Sequence, residues 1–235
     1  MKVVILAGGM GSRISFYTQK IPKPMIKVGN SPMLSHIMRI FKFYGYDEFL
    51  IAAGYKGEII KKYYKDSKEF PKIKVINTGL KTMTGGRILK LRKFLKEEKN
   101  FFVTYGDGVS SLNLGDLVKF HKKNKKIATV TAVRPPVKFG EINIKRNNLV
   151  SSFIEKPQLN KGWINGGFFI FSNKIFNYIN NSKTVLERNP LTKLSKNKQL
   201  VAFKYKGYWR CMDNQSEKNQ LEKIYKKKKT LWKMI

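Results

Sequence analysis

The segment Leu6-Ala7-Gly8-Gly9-Met10-Gly11-Ser12-Arg13 has residue types suited to holding a phosphorylated ligand. Glycines at 8, 9 and 11 let the backbone approach a ligand and offer N–H groups to phosphate oxygens. Arg13 adds a planar, always charged fork that suits a triphosphate. The loop lacks the Gly-Lys-Ser/Thr ending of a P-loop, and its glycine spacing is not the dinucleotide pattern. Taken alone, the three glycines also fit a plain tight turn. Ten residues on, Pro22 and Pro24 flank Lys23. The prolines restrict the backbone there, so the ammonium is a charge held in place. Asp107 lies between Gly106 and Gly108, and Asp213 ends the run Trp209-Arg210-Cys211-Met212-Asp213. Standing alone, each aspartate reads as a cap or turn residue. Glu155-Lys156 alone reads as a surface ion pair, and Asn165-Gly166-Gly167 as a β-bulge.

These residues need elements that place them. Residues 3–6 form a short apolar run that ends in glycines, as a buried parallel strand does. Met33, Leu34, Ile37, Met38, Ile40, Phe41 and Tyr44 recur at helical spacing. Strands are predicted over residues 49–53, 73–77, 101–105 and 128–133, with helices over 58–64, 86–98 and 114–123 between them. This alternation predicts an α/β fold with a largely parallel sheet. The strand 101–105 breaks at Gly106-Asp107-Gly108, and ligands bind open α/β sheets at such carboxyl edges. After Pro135-Pro136 the rhythm changes. Residues 141–144 and 150–154 read as a hairpin around Asn147-Asn148. Further strands are predicted over 167–171 and 201–205, and a basic C-terminal helix over 216–229 with Leu221, Ile224 and Tyr225 as its apolar stripe.

The 235 residues are 42% hydrophobic and 13% aromatic, enough for one substantial core. No linker, repeat or low-complexity segment divides them, so the chain reads as a single domain, 1–235. No apolar run reaches the roughly 18 residues of a membrane span. The apolar start breaks at Gly8-Gly9, too short for a signal peptide. A cytoplasmic location is therefore expected. The lone cysteine, Cys211, excludes an internal disulfide. The formal charge of +33 comes from forty lysines and only eight arginines, set against 15 acidic residues. Two readings of that excess stand: a compositional lysine bias, or a polyanionic partner. Arginine suits bidentate phosphate and base contacts better than lysine, and the aromatic–basic interleaving of RNA-binding modules is absent. No specific nucleic-acid partner is expected.

LAGGMGSR followed by PKPM resembles the signature of the sugar-1-phosphate nucleotidyltransferases, and in particular of their cytidylyl-transferring members. The resemblance continues through SPMLSHIM, GYKG, TMTGGR, FFVTYGDGV, PPVKFGEINI, FIEKP, INGGFFIF, LERNPL and YWRCMD, over residues 1 to about 215. It implies a Rossmann-like mixed, mainly parallel sheet with helices on both faces and a small sugar-binding β extension. Residues 1–134 would be mainly nucleotide-binding, 135–215 mainly sugar-binding, and 216–235 a C-terminal basic helix. Leu6, Ala7, Gly8, Gly9, Gly11, Ser12 and Arg13 would then wrap the nucleotide. Thr84, Gly85, Gly86 and Arg87 would meet the base, with Gly106 nearby. Arg13 and Lys23 would neutralise the triphosphate as catalytic cations, and Asp107 and Asp213 would hold Mg²⁺. Gly140, Glu155, Lys156, Asn165 and Gly166 would hold the sugar phosphate. The implied reaction moves CMP from CTP to a sugar 1-phosphate, glucose 1-phosphate foremost. The same chemistry with dTTP, UTP or GTP, or with another sugar, stays open. A homo-oligomer is expected. The nucleophile is an anionic phosphate oxygen, so no general base is needed, and His36 and His121 read as structural.

The chain departs from the family pattern at several points. Ser12 stands where threonine is usual, Ile21 where lysine is frequent, and Cys211 where proline is common. Relatives carry roughly two dozen more residues between Tyr64 and Ile73. Their absence leaves base choice and assembly open.

Overall fold

A computed structural model of the chain describes residues 1–134, 141–154, 162–227 and Trp232. The elements run β1 (Val3–Ala7), α1 (Ser15–Thr18), β2 (Lys27–Val28), β3 (Ser31–Pro32), α2 (Met33–Phe43), β4 (Phe49–Ala53), α3 (Gly57–Tyr64) and β5 (Ile73–Asn77). Next come α4 (Thr84–Lys90), α5 (Arg92–Leu95), β6 (Asn100–Tyr105), β7 (Gly108–Ser110), α6 (Leu114–Asn124), β8 (Ala128–Val133), β9 (Glu141–Ile144) and β10 (Val150–Ile154). The chain continues through β11 (Ile164–Ser172), α7 (Asn189–Lys196), β12 (Leu200–Tyr205), β13 (Trp209–Cys211) and α8 (Gln215–Lys226).

Seven strands form the central sheet in the order β12-β8-β11-β6-β1-β4-β5. Only β11 runs against its neighbours, β6 and β8; the other pairings are parallel. Because side chains alternate along a strand, β1 feeds two cores. Val3, Ile5 and Ala7 join α2, α3, α6 and α8 on one face. Val4 and Leu6 join α4, α5 and α7 on the other. A strand covered on both faces has no polar side, which is why residues 3–7 read as a continuous apolar run. The β9–β10 hairpin stands outside this sheet. Among the described residues, no helix is long and apolar enough to cross a membrane.

Two local expectations change. The helix expected over 86–98 is two pieces, broken at Leu91, whose ψ is 0° and whose N–H bonds Ile88 O in a tightened turn. Leu91 and Leu95 both stay in the core, so the apolar spacing was right although the helix is not continuous. The short pairs β2–β3 and β7–β13 were not expected. With two or three residues a strand, they carry no readable period.

Candidate active site

The carboxyl ends of β1 and β6 open onto a cavity of about 420 Å³. Leu6 and Ala7 bring the chain to its floor, and Gly8, Gly9, Gly11, Ser12 and Arg13 form one wall. Gly11 sits at φ +66°, the left-handed region, where it turns the loop into a 3₁₀ turn over Ser12–Ile14. Lys23 enters from a second 3₁₀ turn, Lys23–Met25, whose Met25 N–H bonds Pro22 O at 2.8 Å. Pro24 is buried beneath it, and a Cβ on Gly106 would lie 2.7 Å from the Pro24 ring. Thr82, Met83, Thr84 and Arg87 close the opposite side.

Asp107 follows β6 directly. Asp213 reaches it because β13 pairs antiparallel with β7, placing Cys211 opposite Gly108, and Met212 N–H donates to Asp107 O at 2.9 Å. One side chain of α8 completes the placement. Glu217 accepts from Asp213 N–H at 2.6 Å, while Asn214 caps α8 by accepting from Glu217 N–H at 2.9 Å. The aspartates thus converge on one cation. Lys23 Nζ donates to Asp107 Oδ2 at 2.5 Å and to Asp213 Oδ1 at 2.6 Å. Arg13 donates to Asp213 Oδ2 at 2.9 Å, its side chain still 73% exposed. Burial works against the Lys23 charge, but Asp107 and Asp213 outweigh it and hold its pKa above the ordinary lysine value.

Arg87 is placed differently from Arg13. Its guanidinium is buried and donates to Gly8 O, Ala53 O, Gly79 O, Leu80 O and the Thr78 hydroxyl. Burial lowers its pKa. The group wedges between two glycines: a Cβ would lie 2.1 Å from Arg87 Cζ at Gly8, and 2.5 Å from its Nη1 at Gly54. Gly85 and Gly86 do not line the cavity. Their missing side chains admit the backbone of residues 182–184, with Ser182 O only 2.3 Å from a Cβ on Gly86.

A second cavity, of about 250 Å³, adjoins the first and shares Arg13, Tyr105, Asp107 and Asp213 with it. Asn165, Gly166 and Trp209 complete its wall, and Trp209 Nε1 donates to Gly166 O at 2.7 Å. Gly140, Glu155 and Lys156 lie outside the described residues. Both histidines are buried elsewhere. His36 Nε2 pairs with Val28 O, and His121 lies between Thr129 and Asn100.

Sequence reasoning missed Tyr105, Thr82, Trp209, Glu187 and Glu217 as site residues. Tyr105 and Trp209 sat inside quoted motifs, two residues before Asp107 and four before Asp213. Glu187 also sat inside a quoted motif, LERNPL, but its bond to Tyr105 spans 82 positions; Glu217 follows the cap Asn214 by three residues, a local capping pattern that could have found it.

A family model for "Nucleotidyl transferase" matches residues 2–214. A glucose-1-phosphate cytidylyltransferase of Salmonella typhimurium is 37% identical, over 99% of each chain. A probable glucose-1-phosphate cytidylyltransferase of Bacillus subtilis is 35% identical over both full lengths. Among solved structures, HddC from Yersinia pseudotuberculosis complexed with GMP-PN superposes with a TM-score of 0.76 at 26% identity, covering 95% of this chain and 99% of that one. With the family match over residues 2–214, these full-length relatives, and Arg13 and Lys23 meeting Asp107 and Asp213 beside the glycine loop, this chain belongs to the nucleotidyl transferase family.

Proposed function

We propose that this chain transfers CMP from CTP to glucose 1-phosphate, forming CDP-glucose and pyrophosphate. The observation that carries the reading is the meeting of Arg13, Lys23, Asp107 and Asp213 where two cavities adjoin. The larger cavity suits the nucleotide, its charged end at Lys23 and its uncharged end at Thr82–Thr84. The smaller suits the sugar phosphate, with Asn165 offering both a donor and an acceptor to hydroxyls. CTP is favoured over UTP, dTTP and GTP by the full-length similarity to the Salmonella and Bacillus relatives.

Chemically, an oxygen of the sugar phosphate attacks the α-phosphorus, the bond from that phosphorus to the β-phosphate oxygen breaks, and pyrophosphate leaves in line. The nucleophile is already anionic, so the protein needs no general base. Lys23 and Arg13 take up charge on the phosphates as the leaving group separates. The glycine loop holds the nucleotide by backbone N–H groups, and orientation lowers the rest of the barrier.

Asp107 and Asp213 fit a divalent cation. Their carboxylate oxygens already converge on one positive charge, the Lys23 ammonium, and hard oxygen donors in that number suit Mg²⁺ alongside substrate phosphates. A bound Mg²⁺ would supply charge neutralisation at the phosphate oxygens.

A cytoplasmic location and a homo-oligomer remain part of the proposal. Assembly would cover the exposed face of β9–β10, where Ile142, Ile144, Val150 and Phe153 project. The reverse reaction tests the whole reading. CDP-glucose with pyrophosphate and Mg²⁺ should yield CTP, and failure to form CTP under these conditions counts against it.

A further inference from the structure

We infer that Glu187 is a positioning residue that couples the two cavities, an inference that rests on the proposed reaction. Its carboxylate lies at the rim and lines neither cavity, yet it holds a residue of each wall. Thr84, in the nucleotide cavity, donates its hydroxyl to Glu187 Oε2 at 2.6 Å. Tyr105, shared by both cavities, donates to Glu187 Oε1 at 2.5 Å.

The chain of bonds extends in both directions. Asn165, in the smaller cavity, donates from Nδ2 to the Tyr105 hydroxyl at 3.3 Å, and its own Oδ1 accepts from Gly167 N–H at 2.8 Å. At the other end Leu186 N–H donates to the Thr84 hydroxyl at 2.9 Å. Every hydroxyl in the series both donates and accepts, so each bond polarises the next and the series ends on a charge. Tyr105 cannot escape sideways. Gly167, at φ +78°, lies so close that a Cβ there would be 2.6 Å from the Tyr105 ring. Burial, then the Glu187 charge, raises the Tyr105 pKa, so its hydroxyl stays a donor.

The functional consequence follows from what in-line transfer demands. Two bound phosphates must sit at a fixed separation, and an error of about an ångström costs on the order of a hundredfold. Arg13, Tyr105, Asp107 and Asp213 line both cavities, while Thr84 lines only the larger and Asn165 only the smaller, each from a different element. Across the rim, Glu187 makes the position of the Thr84 wall depend on that of the Tyr105 and Asn165 wall.

A mutant cycle read on kcat/KM for each substrate tests this. Glu187→Gln keeps the shape but removes the charge, and should lower kcat/KM about tenfold to a hundredfold, the scale of a lost bond to a charged acceptor. KM should rise for both the nucleotide and the sugar phosphate, although Glu187 lines neither cavity. Thr84→Val and Tyr105→Phe should be non-additive in the parent enzyme by about fivefold or more, and additive once Glu187 is alanine. If that alanine variant fails to fold, the Glu187→Gln background serves instead. Additivity in the parent, or coupling unchanged without Glu187, overturns the inference. The cycle uses whichever nucleotide and sugar phosphate the parent prefers, so a different substrate pair would change the proposed function and leave this test intact.

Discussion

Replacing Gly8 with alanine puts a methyl group 2.1 Å from both Cζ and Nη1 of Arg87. A long side chain on a surface would swing away, but Arg87 is only 5% exposed and its guanidinium is held by four backbone carbonyls and the Thr78 hydroxyl. To accommodate the methyl, the fork must give up its bond to Gly8 O, or the loop must move out into the cavity. Overpacking costs about 1–3 kcal/mol, and losing one bond to a charged donor about 1.5–3 kcal/mol, so a loss of about 3 kcal/mol is expected. For a chain of this length that lowers Tm by about 6–12 °C. Gly9 supplies the control. No heavy atom lies within 4 Å of a Cβ built there, so Gly9→Ala should stay within about 0.5 kcal/mol. Urea unfolding of the two variants gives the comparison. Arg87→Ala provides the decisive background, since it removes the guanidinium that supplies the three nearest contacts of the Gly8 methyl, which should then add little further loss. Equal costs at Gly8 and Gly9, or full additivity of Gly8→Ala with Arg87→Ala, would refute the packing argument.

Asp107→Asn and Asp213→Asn should each lower turnover on the order of a hundredfold or more, with the fold retained because Lys23 keeps one carboxylate in either variant; circular dichroism and pyrophosphate release together check this. Asn214→Ala removes the cap of α8 and should cost about 1 kcal/mol in thermal unfolding, and it should also raise the KM for the nucleotide, because Glu217 holds the Asp213 backbone. Burial, reinforced by the Glu217, Asp213 and Asp107 carboxylates, pushes the Cys211 thiol from 9.0 up to about 12, so alkylation at pH 8.5 should be slow in the native protein and fast in urea. The same shift sets a sign for stability. The unfolded chain releases this proton near pH 9 while the folded chain keeps it to about pH 12, so stability should fall as pH rises between those values.

The fold was legible where burial is continuous. Residues 49–53 are a strand from end to end, buried throughout as the apolar run indicated, because a strand covered on both faces leaves no polar position to blur the run; residues 128–133 and 73–77 are strands as expected too, the latter at the sheet edge with Lys74 and Asn77 exposed. The reversal of β11 was not readable. Its INGGFFIF run looks like any other buried strand, and direction is decided by the connections and neighbours. Within the site, Lys23 and Asp107 stood out because prolines and glycines fix the backbone around them. The role of Gly85 and Gly86 was harder to see. The resemblance set them against the base; in the structure the backbone of Ser182 and Thr184, nearly a hundred positions on, lies against them. Glu187 sat inside the quoted LERNPL, but its role was not readable there, since its bonds to Thr84 and Tyr105 exist only once the sheet brings those segments together.

Cytidylyl transfer to glucose 1-phosphate by Arg13, Lys23, Asp107 and Asp213 can be read from pyrophosphate release with Mg²⁺ and that sugar phosphate, comparing CTP, UTP, dTTP, GTP and ATP. Release should be strongest with CTP and abolished by chelating the metal. Release with another nucleotide in preference, or none with any of the five, would contradict cytidylyl transfer.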